Sequence, residues 1–164
     1  MPELQLTRTP GDRRLYALDG VGTVRLEGMW SRAATAEADQ RSWWLERTGL
    51  LRPTAEASDA AGSRIGHFTP KAIRRGGPLR WGEQELVLRP ASAWRERYAL
   101  ADGERELALL DGKGWRKQPV TITVHDLAAV DPGLLLFAAF VVRGLAEDAG
   151  SGSGSGAGAA TSGS

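Results

Sequence analysis

Apolar and polar residues alternate along most of this chain in short runs, with a turn signal about every eight to twelve residues, the spacing of a β-sandwich or barrel. Leu4 and Leu6 alternate with Glu3, Gln5 and Thr7. Tyr16 and Leu18 lead into Asp19-Gly20, and Val24 and Leu26 return beyond it. Arg41 to Arg47, with Trp43, Trp44 and Leu45, predicts a further strand in which one indole faces inward and the other outward. Leu50 to Gly62 is poor in large apolar residues and holds Pro53, which predicts loop with one weak edge strand. Short strands follow around Ile65 and Phe68, Leu79 and Trp81, Leu86 to Leu88, Trp94 to Leu100, and Leu107 to Leu110. Their turns carry Gly82, Asp102-Gly103 and Asp111-Gly112. Val120, Ile122 and Val124 alternate strictly with Thr121, Thr123 and His125, and Pro119 suits the strand's first position.

The pattern then changes period. Asp131 can cap a helix and Pro132 fits its first turn. From Leu134 to Val142 every residue is apolar, so a helix from Pro132 to Leu145 shows no polar face. Such a helix is buried all round. Where the remaining chain is short amphipathic strands, complete burial means wrapping them around it. The expected fold class is therefore all-β with one buried helix, a closed antiparallel barrel around a hydrophobic C-terminal helix, which also removes unpaired edges. The domain is expected over residues 1–148, with its helix at about 131–145 and a disordered Gly/Ser/Ala tail over 149–164.

This layout resembles the tubby-like C-terminal superfamily, which includes tubby proteins, phospholipid scramblases and the LURP-one-related proteins. The likeness rests on Ser63-Arg64-Ile65-Gly66-His67-Phe68, Leu79-Arg80-Trp81-Gly82, and Trp94 through Tyr98-Ala99-Leu100 with its Asp-Gly turn. The Val120 to Val124 strand and the Asp131 to Leu145 helix complete it. The resemblance implies twelve strands around one helix. It carries over neither lipid scrambling nor a calcium site, because the chain has no cysteine and no acidic calcium loop. Tyr16-Ala17-Leu18 and Tyr98-Ala99-Leu100 each run up to an Asp-Gly turn, a likeness that shared hairpin chemistry explains.

Composition narrows the chemistry. Twenty-one basic against 20 acidic residues in 164 give a net charge of +1, so no global field gathers nucleic acid, which is disfavoured as a partner. Zero cysteines and two histidines exclude a disulfide framework, cysteine nucleophiles and a cysteine or histidine-rich metal centre; neither a metal nor a cofactor is expected. The longest apolar run has nine residues, against about twenty for a membrane span, and no signal peptide opens the chain. A cytoplasmic protein, peripheral at a membrane when bound, is expected. Eighteen of the basic residues are Arg, a coding bias that hints at a bacterial source.

The strongest local feature is basic. Between Ser63 and Trp81 stand Arg64, Lys71, Arg74, Arg75 and Arg80 with His67 and no acid. Phe68 and Trp81 interleave with them, a combination suited to a phosphate-bearing head group. Lys113, Arg116 and Lys117 extend it only if the fold brings them close. Catalytic constellations are weaker. Adjacent strand residues face opposite ways, so Asp126 cannot orient His125. Glu83/Glu85 and Glu104/Glu106 share strand faces but adjoin turns and arginines, as solvated hairpin ends do. No residue is assigned a catalytic role. Among six tryptophans, an outward one on the Trp43-Trp44 strand offers a partner contact unless the Gly49 to Gly62 loop covers it. The first reading is thus a non-enzymatic intracellular barrel that binds an anionic phospholipid head group or docks on a membrane surface. The alternative is a protein-interaction or scaffold module with a protein partner, and a hydrolase or transferase using Glu83/Glu85 or His125 ranks third.

Overall fold

The computed structural model describes residues 2–27, 32–49, 53–71, 76–92, 96–112 and 120–152. Among them twelve strands run in order: β1 (Glu3–Arg8), β2 (Leu15–Leu18), β3 (Gly22–Glu27), β4 (Ala33–Ala38), β5 (Arg41–Thr48), β6 (Thr54–Asp59), β7 (Arg64–Phe68), β8 (Gly77–Trp81), β9 (Gln84–Pro90), β10 (Arg97–Asp102), β11 (Arg105–Asp111) and β12 (Val120–Val124). A 3-10 turn over Leu127–Ala129 leads to the helix α1 (Pro132–Gly152). Every strand pairs antiparallel with its sequence neighbour, and β1 closes on β12 with Leu6 opposite Val120. The expected closed barrel of twelve strands around one C-terminal helix is the observed fold.

Burial follows the pleat. On β12, Val120, Ile122 and Val124 face inward while Thr121 and Thr123 face out. All nine residues from Leu134 to Val142 are buried, on every side of the helix. At ~1.5 Å per residue α1 is about 31 Å long, enough to thread the barrel. Helix and inward strand residues form one continuous apolar core, so the lumen is filled by side chains.

Two expectations change. Thr54–Asp59, within the stretch expected to be loop with one weak edge strand, is instead the full strand β6, paired on both sides with β5 and β7. Its inward residues are Ala55 and Ala57, and those of the unforeseen β4 are Ala34, Ala36 and Ala38. Alanine gives little hydrophobic signal, yet small residues are what a wall needs where a bulky helix passes close; α1 runs nearest β3 and β4. The helix also continues past Leu145 to Gly152. Two ion pairs hold that last stretch, Arg143 to Glu147 at 3.2 Å and Arg47 to Asp148 at 2.5 Å.

Turn chemistry is partly as read. Gly20 and Gly103 take φ of +72° and +60° in their Asp-Gly turns. The β4–β5 turn instead uses Asp39 and Gln40, both at positive φ without glycine.

Candidate functional site

With the lumen filled, function falls to the outer wall. Strands β7 and β8 form a hairpin whose outward residues include Arg64, His67, Pro78 and Arg80. Thr69 N donates to Pro78 O and Lys71 N to Gly76 O, at 3.2 and 2.8 Å, extending the pairing past the strand ends. A shallow groove of about 400 Å³ lies over β7, β8 and β9. Pro78 and Val87 lie opposite each other as its apolar floor, and His67, Thr69, Arg80 and Glu85 supply polar groups.

The register puts Glu85, Arg80, His67, Glu56 and Glu46 in one outward row across five strands. Arg80 meets Glu85 at 3.4 Å and Arg64 meets Glu56 at 3.0 Å. The acid-free segment of the sequence thus acquires two acids from neighbouring strands. Arg80 and Glu85 are both well exposed, as is Arg64, while Glu56 is partly buried; exposed contacts of this kind contribute at most about 1 kcal/mol, so an incoming anion can displace the Arg80–Glu85 pair. Of the expected anion-binding residues, the structure brings Arg80 into the groove, sets Arg64 at its flank beside Glu56, and leaves Lys71 exposed where the hairpin leads on; His67, not among them, joins Arg80 in the groove. Arg74 and Arg75 lie outside the described residues, as do Trp30, Trp94, Lys113, Trp115, Arg116 and Lys117.

The hairpin also holds a contact that its sequence does not suggest. His67 Nε2 and Thr69 Oγ1 are 3.0 Å apart, and His67 Nδ1 faces Glu56 Oε1 at 3.6 Å. The order hydroxyl, imidazole, carboxylate matches a nucleophile relay, but 3.6 Å is beyond hydrogen-bonding reach and Glu56 already holds Arg64. This arrangement fixes the imidazole rim of the groove. The other histidine, His125, meets Glu106 at 2.8 Å across β11 and β12. Asp126 is turned to cap the 3-10 turn, accepting from Ala128 N at 3.1 Å. Glu85 is engaged by Arg80. Among the described residues no group of three His, Cys, Asp or Glu could hold a metal ion.

No family model, no curated protein and no solved structure matches this chain.

A second polar centre sits at the helix entrance. Asp131 accepts from Arg41 at 2.7 Å, from the Trp81 indole at 2.9 Å and from Gly133 N at 3.2 Å. Burial pushes its carboxyl upward, but these donors together outweigh burial and hold it below the ordinary aspartate range. The cap is legible in the sequence but its partners are not, because they lie 90 and 50 residues away in the chain. At the far end, burial raises Glu147 above its ordinary value despite Arg143 and Arg47 nearby. Both centres join α1 to the barrel wall. No helix among the described residues is long and apolar enough to cross a membrane.

Proposed function

We propose that this protein is a non-enzymatic intracellular barrel of the tubby-like C-terminal superfamily that binds an anionic, phosphate-bearing lipid head group on its β7–β9 wall and so docks peripherally on membranes. The superfamily reading is supported by the order of twelve antiparallel strands followed by one central helix. The head-group reading is carried by one observation: His67, Thr69 and Arg80 converge over a Pro78/Val87 floor, near the exposed Lys71, and Arg74 and Arg75 follow Lys71 in the sequence. Arg80 offers a planar fork to phosphate oxygens, Thr69 a hydroxyl, and the apolar floor a rest for the glycerol end of the lipid.

Flotation with phosphatidylserine or phosphoinositide vesicles against neutral ones tests this. Each basic contact near the surface contributes about 1 kcal/mol, or roughly fivefold in partitioning. Binding to anionic vesicles that falls with salt, and falls again in Arg80→Ala and in Arg74→Ala/Arg75→Ala, is the expected result. Equal binding to neutral vesicles, or none, retires the reading. The exposed Trp44 favours the alternative, a protein-interaction module, on β5, with β6 between it and the groove.

A further inference from the structure

Among the described residues the barrel closes with no free strand edge, so a protein partner there is held by side chains rather than by an added strand. Among the described residues the most exposed large apolar side chain is Trp44, at 43%. It lies mid-wall on β5, opposite Thr35 of β4 and Ser58 of β6. Its indole N–H donates to Glu46 Oε2 at 3.0 Å, which fixes the ring and sets a carboxylate beside it. Glu46 stands directly opposite Glu56, and Thr35 donates to Glu27 Oε1 at 3.4 Å. Like charges opposed on adjacent strands cost stability. Glu56 is relieved by Arg64, whereas Glu46 and Glu27 form no ion pair among the described residues. The nearby Arg25 is held by Asp12 at 2.9 Å.

We propose that the β4–β6 wall around Trp44 docks an Arg- or Lys-bearing segment of a partner protein. A guanidinium or ammonium above the indole face gains a cation–π contact. The same cation reaches Glu46 and relieves its repulsion with Glu56. Charge decides the class of occupant: phosphate-bearing lipids and nucleic acids meet these carboxylates as like charges. Trp is also the residue type that most often anchors protein interfaces.

The test is fluorescence anisotropy with a labelled alternating Arg–Ser peptide and its Glu–Ser counterpart. The basic peptide alone should bind, Trp44→Ala should weaken it roughly tenfold or more, and Glu46→Gln should weaken it and flatten its salt dependence. Trp44→Phe should fall between; thermal melts of the two Trp44 variants should match the parent because the position is exposed, and Glu46→Gln, which removes a like charge opposite Glu56, should melt no lower than the parent. Arg80→Ala should leave peptide binding intact while reducing vesicle binding, which separates this surface from the head-group groove. Three results would overturn the proposal: no peptide bound, the acidic peptide bound equally, or a Kd insensitive to Trp44→Ala. Trp44-dependent self-association in sedimentation, with no effect of the basic peptide, would overturn it too, by assigning the wall to a second copy.

Discussion

Gly133 is the residue at which the helix presses hardest on the barrel. A Cβ placed there would lie 2.6 Å from the Trp43 ring and 2.7 Å from the Trp81 ring. Neither indole can retreat. Their centroids are 6.0 Å apart, Trp81 is 5.7 Å from Phe137, and both are almost wholly buried. Gly133→Ala therefore sets two effects against each other. Alanine favours a helix by at most about 1 kcal/mol over glycine, and less this near its start. Overpacking a fixed core costs about 1–3 kcal/mol. Packing wins, and a net loss of about 1–2 kcal/mol follows, which for a domain of this size lowers Tm by about 2–8 °C. Gly144→Ala is the internal control. The atoms nearest its Cβ would be those of the Arg47 side chain, from 2.7 Å, which can shift at the cost of its pair with Asp148. Its effect should stay within about 1 kcal/mol of zero. Thermal unfolding of both variants, followed by near-ultraviolet circular dichroism for the indoles, reads the difference. A Gly133→Ala protein as stable as the parent would refute the close contact between α1 and the two indoles.

Other outcomes follow from the polar contacts of the same helix. Asp131→Ala removes a helix cap, strands the indole N–H of Trp81 and frees Arg41, and should cost about 2–4 kcal/mol in urea denaturation. Because the Asp131 carboxyl is held low in the fold, its contribution is present above the ordinary aspartate pKa and is lost as pH falls through the lowered one; the variant should show a flatter acid limb in its stability–pH curve. Glu147 has the opposite sign. Its folded pKa is raised, so protonation stabilises the fold and stability declines as pH climbs from the ordinary glutamate range through the raised value. Glu147→Gln should remove that decline, and a decline that persists in the variant would assign it to another group.

How much of the fold and site is legible in the sequence depends on side-chain size and on distance along the chain. The helix and the closed barrel can be read because Leu134 to Val142 leaves no polar face and the strands around it alternate cleanly. Strand β4 cannot, and β6 shows only as a weak edge strand. Their inward positions are alanines, which carry almost no hydrophobic contrast, and only the bulk of the helix opposite makes them the right residues. The basic groove is half legible. Arg80 and Glu85 flank one short hairpin, so their pairing is near at hand in the sequence. Glu56 belongs to a stretch read as loop with only a weak edge strand, and its reach to Arg64 and His67 emerges only once β6 is in register with β7. The Trp43-Trp44 pair behaves as its alternation requires, with Trp43 buried and Trp44 outward, and Trp44 remains uncovered because its neighbour is the β6 strand itself.

A barrel whose interior is filled must work through its outer wall, and the β7–β9 groove is the part of that wall proposed to bind. The most direct test is a titration of the isotopically labelled protein with inositol trisphosphate, a soluble phosphate-bearing head group, followed by amide chemical shifts. Saturable shifts at His67, Thr69, Lys71, Arg80 and Val87, reduced in Arg80→Ala and at high salt, are the predicted result. Shifts centred on Trp44 or on α1, or none at all, would contradict it.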